Sequence, residues 1–188
     1  MRVLIIPEDF EKDQHLLKPI FERLFQAIGK PRARVRVCQN PRLRGIDQAL
    51  NAERMLEIVE RYRGMTDIFI LCVDRDGEVG RRQRLDQLEL LCSAATEFLA
   101  ASAWEEIETW VLAGLNLPNE WRWSDVRAEI QVKEMYFEPL ADQRGLSDSP
   151  GGGRRPLAAE AARRLDAIRQ KCPEDFDHLA QRLSRVSG

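Results

Sequence analysis

Hydrophobic residues follow two different spacings along the first hundred positions, which predicts alternating strands and helices. The apolar runs at residues 2–6 and 68–73 are continuous, as is typical of strands covered on both faces of a parallel sheet. Residues 34–38 alternate polar and apolar side chains, which indicates a strand near an edge of the sheet. Residues 97–103 form another short apolar segment. We therefore expect strands in these four segments.

Apolar side chains three and four positions apart predict amphipathic helices between these strands. The helical patterns cover residues 13–28, 47–62 and 82–92. Gly29 and Gly64 follow the first two patterns and are typical helix stops. The alternating order predicts an α/β fold with right-handed crossovers and a parallel sheet of about four strands flanked by helices.

The pattern changes after Gly114, where short helical segments alternate with segments rich in Pro, Gly, Ser and Asp. We therefore expect an α/β domain over residues 1–115 and a helical C-terminal extension over residues 116–188 that packs on it. The helical segments expected in the extension are residues 124–130, 157–172 and 174–186, with a loop at 141–156.

Acidic residues gather where two of the predicted strands end. Glu8 follows the first strand, and Asp74 and Asp76 follow the third in the motif D-R-D-G. Because side chains alternate along a strand, Asp74 and Asp76 point to the same side, with Cα atoms roughly 6–7 Å apart. Two carboxylates this close repel each other unless a cation lies between them, and Mg²⁺ prefers oxygen ligands. The pattern predicts a metal site at the carboxyl edge of the sheet, although an Asp-Gly turn is an alternative reading.

A second acidic group, Glu105, Glu106 and Glu108, follows the fourth strand. On a regular helix Glu105 and Glu108 share a face and Glu106 points elsewhere, so at most two of them serve one site. A helix that begins at Glu106 or later allows other pairs. The alternative is that these acids stabilise the positive N-terminal end of a helix.

Composition narrows the function classes. The formal net charge of −2 excludes a generally basic nucleic-acid surface, although arginines are clustered at residues 32–44 and 81–84. The four cysteines are widely scattered, which indicates neither a zinc site nor a disulfide framework. No apolar run approaches the ~20 residues of a membrane span, and no signal-peptide pattern is evident, so we expect a cytoplasmic protein with no membrane contact.

The order of these motifs resembles the TOPRIM domain of topoisomerases, primases and OLD-type nucleases. The resemblance covers residues 1–115 and rests on Glu8 after the first strand and D-R-D-G after the third. The segments E-E-I-E-T-W-V-L-A-G and K-C-P-E-D-F resemble, more narrowly, a bacterial TOPRIM-related family linked with antiviral defence or mobile elements. The sequence departs from the TOPRIM pattern in one place. The TOPRIM glutamate is usually followed by a glycine, which allows a tight turn, whereas Glu8 is followed by Asp9.

This resemblance implies a nuclease that uses Mg²⁺ or Mn²⁺ to hydrolyse phosphodiester bonds in DNA or RNA. It also implies a role for each candidate residue. These roles are Asp74 and Asp76 as metal ligands, Glu106 or Glu108 as a further ligand or the ligand of a second ion, Glu8 as general base, and Arg75, Arg81 and Arg82 as phosphate-binding residues.

Two other functions fit the same residues. The chain is alternatively a non-catalytic TOPRIM-like subunit that docks a partner ATPase or effector through its C-terminal helices, since no continuous basic groove is evident. A third candidate is a phosphohydrolase of the haloacid-dehalogenase kind, with Asp74 as nucleophile and Asp76 as acid/base. That class carries its D-x-D near the first strand, whereas here it follows the third. The sequence leaves the oligomeric state open.

Overall fold

Four parallel strands form the central sheet in the computed structural model, which describes residues 1–186. The predicted α/β fold class is confirmed, and each strand begins and ends within one residue of its predicted bounds. The strands are β1 (Arg2–Pro7), β2 (Arg34–Val37), β3 (Ile68–Asp74) and β4 (Phe98–Ala103).

The strand order is β2-β1-β3-β4, so the chain leaves β1 toward one edge and continues from β3 toward the other. β2 lies at an edge, as its alternating pattern predicted. The carboxyl ends of β1 and β3 therefore meet where the strand order reverses, which is where open α/β sheets bind ligands. Pro7 pairs with Cys72, so Glu8 lies beside the last residues of β3.

Four helices in the first part of the chain connect these strands, and a fifth follows β4. The expected helix at 47–62 is two helices, because Asn51 interrupts it and accepts a hydrogen bond at 2.8 Å from the N–H of Arg54. The first helix begins earlier than predicted, because Asp9 caps it through the N–H groups of Glu11 and Lys12. The helices are α1 (Phe10–Ala27), α2 (Ile46–Ala49), α3 (Ala52–Tyr62), α4 (Arg81–Ser93) and α5 (Glu108–Gly114).

The C-terminal region is helical, as predicted, but more broken than expected. The expected helix at 157–172 is divided at Arg163 and Arg164, and the expected loop at 141–156 contains the end of one helix and the start of the next. The elements are α6 (Trp123–Ala128), α7 (Glu138–Gln143), α8 (Arg154–Ala162), α9 (Leu165–Lys171) and α10 (His178–Arg185), with π-helical turns at Lys133–Phe137 and Pro173–Asp177.

Each face of the sheet has its own hydrophobic core. On one face, Ile5 and Ile70 pack with α1, α5 and the C-terminal helices. On the other, Ile6 and Leu71 pack with α2, α3 and α4. The C-terminal region therefore covers one face of the sheet, and α1 and α8 are in extensive contact. Among residues 1–186, no helix combines the length and apolar character that crossing a bilayer requires.

Candidate metal centre

Three carboxylates meet at the carboxyl edge of the sheet. Asp74, Asp76 and Glu106 each offer one oxygen, and these oxygens lie within 4.8 Å of one another. Asp74 ends β3, and Glu106 follows β4 in the turn before α5. The two turns adjoin because β3 and β4 are parallel neighbours, with Asp74 beside Ala103. A set of oxygen donors at this spacing suits a hard divalent cation such as Mg²⁺ or Mn²⁺.

Glu105 holds the two turns together. Its backbone oxygen accepts hydrogen bonds from the N–H groups of Arg75 at 2.7 Å and Asp76 at 3.2 Å. Its carboxylate accepts from the N–H of Gly77 at 2.5 Å and from Nη1 of Arg75 at 2.8 Å. Asp76 and Glu105 both have positive φ, 54° and 64°, a conformation that costs a non-glycine residue energy unless its surroundings hold it. Glu105 is therefore a positioning residue for the carboxylates.

Asp74 links the site to both neighbouring segments. Its Oδ1 accepts from the N–H of Ile107 at 2.8 Å, and its own N–H donates to Oε2 of Glu8 at 3.3 Å. Removal from water raises the pKa of Asp74 well above its usual value, and the carboxylates of Glu108, Asp13 and Glu8 raise it further. Such a carboxylate is stabilised by a proton or by a cation.

Glu8 and Glu106 lie on either side of Asp74, both partly buried. Burial raises the pKa of Glu8, although the hydrogen bond from Asp74 opposes the shift. Burial also raises the pKa of Glu106 to about 7, against the effect of a hydrogen bond from the N–H of Lys133 at 2.5 Å. Removal from water is therefore the main cause of both raised pKa values, and neighbouring carboxylates add to it.

Glu108, the other expected metal ligand, is held by an arginine. The guanidinium of Arg154 on α8 donates to Oε1 of Glu108 at 2.8 and 3.2 Å, and both side chains are buried. Glu108 is nevertheless close enough to Asp74 for its charge to raise that pKa. Arg154 was not expected here, because residues 141–156 were expected to form a loop.

Asp13 is a further acid that the sequence reasoning missed. It is 8% exposed, and burial raises its pKa to about 8, against the effect of a hydrogen bond from the N–H of Asp9 at 2.9 Å. A signal was present in the sequence, since Asp13 lies on the apolar stripe of α1, three positions before Leu16. A carboxylate on a buried stripe requires a specific partner.

The three arginines expected to bind phosphate lie at different distances from the carboxylates. Arg81 is buried, and its Nη2 lies 3.4 Å from Oδ2 of Asp76. Arg75 turns toward Glu105 and stacks over the ring of Trp104 at 4.0 Å. Arg82 donates to the backbone oxygen of Ala100 at 2.9 Å and pairs with Asp86 at 2.6 Å. Of these three arginines, Arg81 is thus the one whose side chain contacts a carboxylate of the three-carboxylate group in the described residues.

Comparisons of the chain with models of protein families, with curated proteins and with solved structures give no match.

Proposed function

We propose that this chain is a nuclease that uses Mg²⁺ or Mn²⁺ to hydrolyse phosphodiester bonds in DNA or RNA. The observation that carries the proposal is the meeting of Asp74, Asp76 and Glu106 at the carboxyl edge of a parallel sheet. A glutamate after the first strand and a D-x-D after the third also support the TOPRIM resemblance, because their strands are neighbours. The proposal includes a cytoplasmic location and a role in antiviral defence or mobile elements.

The donor set and its electrostatics support a metal site. Burial raises the pKa values of Asp74 and Glu106, and the carboxylates of neighbouring acids add to each shift. A divalent ion would offset this repulsion, whereas Arg81 contacts the group only at 3.4 Å. Asp74, Asp76 and Glu106 would hold the ion. When bound, the ion supplies neutralisation of a phosphate oxygen and stabilisation of the leaving oxygen.

Two further side chains have roles in the proposed reaction. Arg81 would contact the phosphate that faces the carboxylates, because its guanidinium already lies beside Asp76. Glu8 would take the proton of the attacking water. Its raised pKa makes it a better proton acceptor near neutral pH than an ordinary glutamate.

Calorimetric titration with Mg²⁺ and Mn²⁺ tests the metal site without a choice of substrate. We expect saturable binding to the wild type and loss of binding in Asp74→Asn/Asp76→Asn. Asp166→Asn is the matched control, because Asp166 is exposed and its side chain makes no hydrogen bond or ion pair within residues 1–186. Equal binding by the double variant would refute the assignment. Absence of binding by the wild type would favour the non-catalytic interaction subunit.

A further inference from the structure

A pocket of ≈ 300 Å³ lies beside the metal centre, on the outer side of the edge strand β4. Its walls are the first turn of α4, the end of β4, and α10 with the π-helical turn that precedes it. The volume is at the small end of the range for small-molecule sites. The basic side chains that line it come from both halves of the chain: Arg75, Arg81, Arg82, His178 and Arg182. The acids Glu78, Glu174 and Asp175 also line it, and the last two pair with Arg127.

The first turn of α4 offers unused hydrogen-bond donors to this pocket. The helix is 13 residues long, its N-cap residue Gly80 provides no side-chain bond, and its first turn contains no acid. The backbone N–H groups of Arg82 and Gln83 have no acceptor within residues 1–186. Open N–H groups at the positive end of a helix bind anions.

Arg81 adds a buried cation between the pocket and the metal centre. It is 6% exposed, yet its contacts with the backbone oxygen of Arg75 and the carboxylate of Asp76 are all 3.4 Å long. Its Nη1 has no acceptor within the described residues. A buried guanidinium with long contacts keeps donors available for a stronger acceptor, and phosphate is the acceptor that its geometry matches best.

Glu89 positions two arginines from opposite walls. Its carboxylate pairs with Arg182 of α10 and lies 3.8 Å from Nη2 of Arg82 of α4. The same carboxylate also accepts from the N–H of Ala100 on β4 at 2.8 Å. One acid thus positions two guanidinium groups at the pocket, and Arg82 also pairs with Asp86, so both arginines have little conformational freedom to lose on binding.

The edge of β4 contributes one further donor. Alternate residues of an edge strand direct their backbone groups outward. The N–H of Ala100 donates to Glu89, and its backbone oxygen accepts from Arg82. The N–H of Trp104 donates to Asp175 at 2.8 Å. Ser102, which lies between Ala100 and Trp104 and lines the pocket, has no such side-chain partner within residues 1–186.

We propose that this pocket binds the phosphate group of a nucleotide or of the end of a nucleic-acid strand, with Arg182 and His178 of α10 as ligands. Arg81 and the N-terminus of α4 supply the remaining donors. For a strand end, the proposal rests on the proposed function, because Arg81 joins the pocket to the carboxylates. The C-terminal helices are then part of the substrate site.

Fluorescence anisotropy in EDTA tests the pocket independently of any metal. The probe is a short labelled single-stranded DNA with a 5′-phosphate, compared with the same strand ending in a hydroxyl and with the 3′-phosphorylated strand. We expect a terminal phosphate to tighten binding roughly tenfold, since hydrogen bonds to charged groups are strong. Equal binding of all three strands would refute a pocket for strand ends.

Arg182→Gln should abolish this preference, whereas Arg185→Gln, an exposed neighbour on the same helix, should retain it. His178→Gln is a second variant in case Arg182→Gln does not fold, because His178 is exposed; a several-fold loss of the preference is expected. An unchanged preference in a folded Arg182→Gln protein, or in His178→Gln if Arg182→Gln does not fold, would overturn the assignment.

Calorimetry with a nucleoside 5′-monophosphate separates the two ligand sources. Binding of the mononucleotide as tight as that of the phosphorylated strand identifies a nucleotide, and binding of the strand alone identifies a strand end. If neither binds through Arg182, the pocket proposal is wrong. A preference for the terminal phosphate without metal binding would contradict the proposed nuclease and support the pocket. Metal binding without that preference would support the nuclease and contradict the pocket.

Discussion

The backbone N–H of Asp74 donates a hydrogen bond to Oε2 of Glu8 at 3.3 Å and joins the carboxyl ends of the two central strands. The other side of Asp74 accepts from the N–H of Ile107, which follows β4. The segments at the ends of three strands are therefore joined through one residue. The proposed base and the proposed metal ligands are therefore neighbours. A substitution of Glu8 should reduce cleavage but not metal binding, whereas a substitution of a metal ligand should reduce both.

Replacing Glu8 with Gln should remove the proposed base but leave the ion site. The amide oxygen can still accept from the N–H of Asp74, so we expect an unchanged fold and retained Mn²⁺ binding, with cleavage reduced by roughly 10²–10⁴-fold. Cleavage of labelled DNA and RNA and calorimetry measure the two effects. Glu11→Gln, an exposed change on α1, is the control. Cleavage at the wild-type rate in Glu8→Gln would assign the base elsewhere.

Stability without metal should depend on the protonation of Asp13. Its folded pKa of about 8 lies above the ordinary value of about 4, so the unfolded state loses this proton first as pH rises. The stabilising contribution is thus fully present below about pH 4 and is lost by about pH 8. We expect the wild type to lose more thermal stability between pH 5 and pH 8 than Asp13→Asn, measured in EDTA. Parallel curves for the two proteins would contradict this pKa.

Metal binding should release protons, because the cation and the protons compete for carboxylates whose pKa values are raised. The pKa of Glu106 is about 7, so its proton is displaced over the neutral range. We expect Mn²⁺ affinity to rise from pH 6 to pH 8, and the binding enthalpy to vary with the ionisation enthalpy of the buffer. Glu106→Gln should weaken both effects. A buffer-independent enthalpy near pH 7 would show that no proton is displaced.

Replacing one member of the buried pair of Glu108 and Arg154 should lower the free energy of unfolding. Arg154→Met leaves the Glu108 carboxylate buried without its partner, and we expect a loss of about 3–5 kcal/mol in the free energy of unfolding. Adding Glu108→Gln to that variant should restore much of the loss. Urea unfolding of both single variants and the double variant measures the coupling. Arg155→Met, at the exposed neighbouring position, should be near neutral.

Close packing of α5 on α8 should make Gly114 intolerant of a side chain. A Cβ at Gly114 would lie 2.7 Å from the backbone oxygen of Ala161 and 2.8 Å from its Cβ. We expect Gly114→Ala to lower the free energy of unfolding by about 1–3 kcal/mol. Gly80→Ala is the matched control, because Gly80 has an ordinary φ of −81° and a Cβ there meets only a side-chain oxygen at 3.6 Å. Equal stability of the two variants would contradict the packing.

In the C-terminal region, the local hydrophobic pattern predicted helices but not the positions where they end. Its helices were expected, but their breaks were not, since a helix end inside a packed region depends on what the neighbouring helices require. Arg154 illustrates the consequence: it was expected in a loop, and it pairs with Glu108 at the start of α8, directly after the three glycines 151–153, which all have positive φ. Its guanidinium is also fixed by the backbone oxygen of Gly151 at 2.9 Å.

The sequence by itself determined the sheet and the presence of acids at its carboxyl edge. Burial on both faces requires a continuous apolar strand, and a strand end at D-R-D-G is a local property of the chain. Only the tertiary structure decided which acids meet. Regular helix geometry grouped Glu105 with Glu108, whereas the positive φ of Glu105 keeps it in a turn and brings Glu106 to Asp74 and Asp76. That choice depends on strand order and on contacts between distant segments, which no local periodicity encodes.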